Sequence, residues 1–284
     1  MLLNETEQRE AQESLTEAKK TEQTNDRVSE GFFIGVDIGQ QHDYTAIVGV
    51  ERVRITTFDK WVRAHPEVIS LNDPMSEYEP VYKSDIEYHV RLIERLQLGT
   101  KYTDVVRYLI NLVNAPKIKE LKPTVIIDYI GVGRGIYDMA VEQPELRTMK
   151  AVTATGGEAI KDDDPFFHVP KVELATTAQG LFSRQLLQIA KDLANAEELT
   201  REIKSYIIKR TPAGNLQFEA QQGSHDDLTS ALEMACWIAT QHEVIPLVAP
   251  ITHKRPFDDQ SMRRTGKVSR GSYAMENKGY GGYW

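Results

Sequence analysis

The sequence predicts an α/β protein built on a mixed β-sheet flanked by helices, and two observations carry that expectation. The first is a leading hairpin. The apolar run Phe33-Ile34-Gly35-Val36 climbs to Asp37, and after the polar turn Gln40-Gln41-His42-Asp43 a second β-rich run occupies residues 44–50. The second is the alternation that follows. A helical period over residues 103–113 precedes the short, fully apolar strand Thr124-Val125-Ile126-Ile127-Asp128, and another helical stretch runs through Ile136, Met139, Ala140 and Val141. Strand, helix, strand and helix behind a hairpin imply parallel strands added to an antiparallel pair.

Taken in order, residues 1–30 are rich in Glu, Gln, Thr and Lys and are expected to be disordered or a frayed helix, with folding starting at Gly31. Residues 64–84 hold Pro66, Pro74 and Pro80 without a period and read as a long excursion on the hairpin edge, strand character resuming at 88–96. Thr103 is expected to cap the next helix and Pro116 to end it. The loop Gly131-Val132-Gly133-Arg134-Gly135 lacks both a third glycine at the spacing of a dinucleotide fingerprint and the Lys-Ser/Thr of a phosphate loop. Its glycines are expected to let the chain leave the strand tightly, with Asp128 at the carboxyl end, where open α/β sheets bind ligands.

Residues 152–155 read as the last sheet strand, and Asp162-Asp163-Asp164 as a solvated loop. A helix with Leu174, Leu181, Leu186, Leu187 and Ile189 is expected over residues 171–193, and a second from Ala196 with Leu199, Ile203 and Tyr206 inward. Runs at 207–210 and 216–220 around Thr211-Pro212-Ala213-Gly214-Asn215 signal a β-hairpin. Lys209 and Arg210 give it positive charge, which suits either a solvated hairpin or a flap that contacts phosphate.

Ser224-His225-Asp226-Asp227 opens the last long helix, over residues 228–242, with Ser224 as its cap and an acid in the first turn to suit the helix dipole. Capping accounts for one aspartate. Two in succession entering so apolar a helix would carry a carboxylate toward the sheet centre, where a metal ion or a proton has to compensate it. The inward stripe, read back from Ile238 through Ala235 or Met234 and Ala231, lands on Asp227 and leaves Asp226 nearer the margin.

The 284 residues are 40% apolar and 27% charged, enough for one large domain with appendages. A net charge of -8 argues against a general nucleic-acid coat protein, but its distribution is uneven: residues 1–30 carry eight acids against four bases, and residues 250–284 seven bases against three acids. That basic tail is expected to be disordered. No apolar run has the length of a membrane span and no secretory signal is present, so an intracellular protein is expected. The single cysteine, Cys236, excludes a disulfide within the chain and is expected to be buried.

Six motifs in order carry a resemblance: Ile34-Gly-Val-Asp37-Ile-Gly, Asp43-Tyr-Thr-Ala, Gly99-Thr-Lys-Tyr, Val125-Ile-Ile-Asp128-Tyr-Ile-Gly-Val-Gly133, Val169-Pro-Lys171 and Gly223-Ser-His-Asp-Asp227. Together they resemble the C-terminal nuclease domain of tailed-phage terminase large subunits. The resemblance covers residues 31–243 and implies an RNase H-like fold within a domain spanning residues 31–249, between the polar segment 1–30 and the tail 250–284. It further implies a metal-dependent endonuclease that cuts concatemeric viral DNA during packaging, with two Mg²⁺ or Mn²⁺ ions as cofactors. By the same resemblance Asp37, Asp128 and Asp227 match the metal-binding acids, Asp226 being adjacent. Hard divalent ions prefer carboxylate oxygens, and two of them about 3.5–4 Å apart serve phosphodiester hydrolysis.

The implied partners are double-stranded DNA, a packaging ATPase domain or subunit, a portal and a small terminase subunit, and the implied setting is the cytoplasm of an infected or lysogenic bacterial host. The departure is the missing GxxxxGK[ST] of the family's ATPase: Gly266-Lys267-Val268-Ser269 has neither the upstream glycine nor a strand before it. An excised domain or a separately encoded half is expected. His225 beside the acids suits proton transfer or a structural role. Three other readings stay open: a Holliday-junction resolvase of the same fold and acids, an actin-like or sugar-kinase ATPase with the same opening motif, and a catalytically silent scaffold.

Overall fold

The computed structural model describes residues 26–39, 43–63, 78–157, 159–210, 216–220 and 226–241, all within the compact unit Thr21–Val244. Strands β1 (Asp26–Asp37), β2 (Ala46–Arg63) and β3 (Tyr78–Arg95) form an antiparallel meander. β4 (Thr124–Asp128), β5 (Lys150–Thr155), β6 (Lys161–Asp163), β7 (Phe166–Pro170) and β8 (Leu187–Ile189) complete a sheet ordered β6-β7-β5-β4-β1-β2-β3-β8. β4 runs parallel to β1 and β5 parallel to β4. The inner five strands therefore read β3-β2-β1-β4-β5 with only β2 reversed, which is the RNase H-like arrangement. Helices α1 (Tyr102–Asn114), α2 (Pro116–Glu120), α3 (Gly133–Val141), α4 (Lys171–Ser183), α5 (Ala196–Ser205) and α6 (Asp227–Gln241) accompany it, and β9 (Tyr206–Arg210) pairs with β10 (Leu216–Ala220) in a separate hairpin.

Strand alternation sorts the core into two layers. Phe32, Ile34 and Val36 of β1 with Val125 and Ile127 of β4 pack under α1 and α3, together with Leu109 and Ile136. Phe33 of β1 and Ile126 of β4 face the other way, toward Leu174 of α4, Leu199 of α5 and the apolar length of α6. α6 is buried almost all round, from Leu228 to Ala239 with only Ser230 partly exposed, because the sheet covers one side and α4 and α5 the other. Its Trp237 meets Phe167 of β7 edge to face at 5.3 Å. Cys236 is buried on the same helix, and burial pushes its thiol well up, out of the reactive range.

One glycine sets how deeply α6 seats. A Cβ on Gly35 would lie 2.0 Å from the Ala231 carbonyl oxygen and 2.9 Å from the Ala235 nitrogen, both backbone atoms that cannot rotate away. Gly35→Ala is therefore expected to destabilise the protein by about 3 kcal/mol, the upper range for overpacking a tight core. Urea melts check this; a loss within ~0.5 kcal/mol would mean that α6 does not lie against β1 at this point.

Several elements depart from the sequence expectation. β1 starts at Asp26, ahead of Gly31. β2 and β3 form a far longer ribbon than the 64–84 excursion allowed, pairing out to Arg63 and Tyr78. Pro80 lies within β3 opposite Trp61, and among the described residues no strand pairs with the other side of β3 there, β8 meeting it only at Tyr88, His89 and Val90. Thr103 lies inside α1, whose N-cap is Lys101 with no side-chain cap, and Pro116 opens α2 as well as following α1. Residues 152–155 do not end the sheet: β7 and β6 extend it, and Asp162 and Asp163 belong to exposed edge strand β6, not to a loop.

The helix expected to reach residue 193 stops at Ser183. Gln185 takes a left-handed φ of 60°, the Leu186 N–H donates to the Leu181 carbonyl (2.9 Å) and the Gln185 N–H to that of Phe182 (3.0 Å). That is a Schellman ending with Gln in the place usually held by Gly, and it frees Leu187–Ile189 to pair with β3 as β8. Tyr206 opens β9 and does not continue α5. No helix among the described residues is long and apolar enough to cross a membrane. The expected tail 250–284 and the segment before Asp26 lie outside the described residues.

Candidate active site

Asp37 and Asp128 each end a strand, and the register makes them neighbours. β1 and β4 run parallel with Val36 beside Ile127, so the next step along both strands sets Asp37 beside Asp128. Alternation then fixes their face: Asp37 follows Phe33 and Gly35, and Asp128 follows Ile126, all on the α6 side. α6 completes the constellation from above. Its Ala231 lies over Gly35, Asp227 stands four residues before Ala231, about 6 Å along the helix, and Asp37 two residues beyond Gly35, about 6.6 Å along the strand. The close seat that Gly35 allows is thus what brings Asp227 to Asp37.

Asp226 sits at the N-cap, its carbonyl accepting the Ser230 N–H at 2.8 Å, and Asp227 is the first helical residue, only 8% exposed. The sequence stripe expects Asp227 inward and Asp226 nearer the margin, matching their burial, whereas the N-cap falls at Asp226 and not at the expected Ser224. The helix start is held by something the sequence reading missed. Glu202, from α5, reaches across so that its Oε2 accepts the N–H groups of Leu228 (3.0 Å) and Thr229 (3.1 Å). Ser224, the expected cap, and His225 lie outside the described residues.

Electrostatics identify Asp37 as the centre. Its carboxyl is raised well above the ordinary carboxylate range, first by burial, then by Asp128, Asp227 and Asp226, with a Ser230 hydrogen bond opposing. Asp128 is also raised, by burial, against the opposing effects of the Ile130 N–H that its Oδ1 accepts at 3.1 Å and of the Lys171 ammonium at the start of α4. Gly133 lets the chain turn back onto this strand end, since a Cβ there would lie 1.9 Å from the Asp128 carbonyl oxygen. The glycine loop thus serves the departure from β4, as its sequence suggested. Across the site Arg95 of β3 brings Nη2 to 4.0 Å from Asp227 Oδ2.

The donor set fits divalent ions in chemistry: four carboxylates and no sulfur or imidazole among the described residues named here. It is not a finished cage. Among the described residues no three His, Cys, Asp or Glu side chains stand close enough to hold a metal as they are. The fit is one of charge and convergence, since Asp128, Asp227 and Asp226 all act on Asp37.

A stability prediction follows from the raised Asp37. Below about pH 3.9 the folded and unfolded chains both hold this proton. As pH rises, the unfolded chain loses it first, so the metal-free fold loses stability until the raised folded value is passed, and keeps the penalty above it. Asp37→Asn is therefore expected to melt higher than the parent in EDTA at about pH 7, by about 2–4 °C for each kcal/mol relieved, with the gap closing toward about pH 4. Equal melting at neutral pH would mean that neither burial nor the neighbouring acids penalise the Asp37 carboxylate in the fold.

The other sequence candidates are not brought to this centre by anything described. Lys209 and Arg210 lie on β9, paired with Gln217 and Leu216, and their side chains fall outside the described residues. Asp164 pairs with Lys150. Arg95 and Glu202 belong to no motif of the sequence, although Glu202 has a legible signal: steps of three from Ala196 through Leu199 land on it, a carboxylate on the buried face of an amphipathic helix.

No family model and no curated protein matches the sequence. Among solved structures it is similar to the large terminase nuclease from thermophilic phage G20c with bound magnesium, at 18% identity over 75% of this chain and 82% of that one, with a TM-score of 0.45. The nuclease domain of the large terminase subunit gp2 of bacterial virus Sf6 is similar at 15% identity over 72% and 87%, with a TM-score of 0.44. So is the g2p (large terminase) nuclease domain from bacteriophage SPP1 with bound Mn, at 12% over 72% and 84%, with a TM-score of 0.39. None reaches a TM-score of 0.5, and the functional reading stands on this chain's own residues.

Proposed function

We propose that this chain is a metal-dependent DNA endonuclease of the terminase large-subunit type, which cuts concatemeric viral DNA during genome packaging in the host cytoplasm. The observation that carries the reading is the meeting of Asp37, Asp128 and Asp227, with Asp226 beside them, at the carboxyl ends of two adjacent parallel strands and the start of a buried helix. The ordered motifs of the sequence supply its biological setting.

Asp37, at the centre of the cluster, would be shared by the Mg²⁺ or Mn²⁺ ions, and Asp128 and Asp227 would each hold one of them. The chemistry such ions supply when bound is an activated water and stabilisation of the leaving oxyanion. The protein's own part is positional. Ser230 orients Asp37, and the Ile130 N–H orients Asp128. Lys209 and Arg210 are candidates for phosphate contact outside the acidic centre. Double-stranded DNA is the substrate, and a packaging ATPase, portal and small terminase subunit are the partners.

The test is incubation of the chain with supercoiled plasmid. Nicking and linearisation with little sequence preference are expected in Mn²⁺ or Mg²⁺ and none in EDTA. Clean preparations inactive in both metals would overturn the proposal, and a strong preference for four-way junctions over linear duplex would turn it into a resolvase.

A further inference from the structure

We propose that Glu202 and Arg95 are a positioning pair that fixes the first turn of α6 and so holds the Asp227 carboxylate toward Asp37. This rests on the endonuclease reading above and deepens it. The helix start is otherwise a weak place to mount a ligand, because its first amides lack partners within the helix and its first turn frays. Here the amides at the second and third helical positions, Leu228 and Thr229, are taken by one carboxylate oxygen from another element, Glu202 Oε2, on a residue only 5% exposed.

The other oxygen of the same carboxylate meets Arg95 Nη2, while Arg95 Nη1 donates to Glu198 Oε1 at 3.0 Å. The guanidinium also lies 5.0 Å over the ring of Tyr44, next to the hairpin mouth that Asp37 closes. β3, α5 and α6 are thus tied at one point. Arg95 carries the positive charge that lets Glu202 stand beside Asp227 and Glu198 at all. Without Arg95, Glu202 would add one more negative charge to a centre already crowded with them. Without Glu202, Asp227 would ride on a fraying turn. Partners that orient metal ligands in this way typically matter 10–100-fold for metal affinity.

Three variants test it: Glu202→Ala, Glu202→Gln and Arg95→Met. In the metal-free protein, amide hydrogen exchange at Leu228 and Thr229 should quicken about 10-fold or more in Glu202→Ala while the rest of α6 exchanges as in the parent. The dissociation constant for Mn²⁺, titrated without DNA, should rise about 10-fold or more in Glu202→Ala and Arg95→Met. Glu202→Gln, which keeps an oxygen for the two amides, should restore part of both. If Glu202→Ala does not fold, Glu202→Gln and Arg95→Met carry the test. A parent that binds Mn²⁺ and cuts plasmid, with Arg95→Met and Glu202→Gln matching its affinity, overturns the pair and leaves the endonuclease reading standing. A parent that binds no Mn²⁺ overturns that reading, and the pair with it.

Discussion

Asp37→Asn and Asp128→Asn are each expected to abolish DNA cleavage while leaving the protein folded. Both residues end strands whose cores are buried on both faces, so a change at the last position leaves the packing beneath untouched. Asn keeps the size of the side chain and removes the charge that a divalent ion needs. For Asp37 the loss falls at the centre of the cluster, where Asp128, Asp227 and Asp226 all act on it. A fall in rate of about 10³-fold or more, equivalent to about 4 kcal/mol of transition-state stabilisation, is the expected scale. Single-turnover cleavage at saturating Mn²⁺, with circular dichroism as the folding check, makes the measurement. Cleavage within a few-fold of the parent in either variant would remove that residue from the reaction.

The second large effect separates two adjacent aspartates. Asp227 is in the helix, buried and toward Asp37, whereas Asp226 is at the N-cap, more exposed and third among the acids acting on Asp37. Asp227→Ala is expected to eliminate cleavage in both Mg²⁺ and Mn²⁺. Asp226→Ala should weaken it and leave some activity in Mn²⁺. The two are best assayed side by side in both metals, because full activity in Asp227→Ala with a dead Asp226→Ala would mean that their roles are reversed.

Much of this centre was legible in the sequence because it obeys short-range rules. Apolar runs that stop at one carboxylate announced the ends of β1 and β4, and a helical step of four from Ala231 chose Asp227 over Asp226. What stayed hidden depends on pairings distant in sequence. Leu187–Ile189 reads as helix until β3 claims it through the turn at Gln185, and Pro80 forbids a strand only where a neighbour needs its N–H. Glu202 and Arg95 stand 107 positions apart, so no local pattern links them. Their partnership appears only once α5 is laid across the start of α6.

The most direct measurement is anomalous scattering from crystals of the chain soaked in Mn²⁺. The expected result is density for the ion among Asp37, Asp128 and Asp227, with these carboxylates drawn closer than in the metal-free arrangement, and its loss in Asp37→Asn. Mn²⁺ bound only elsewhere on the protein, or no ordered Mn²⁺ in crystals of active protein, would contradict the claim that these acids form one divalent-cation centre.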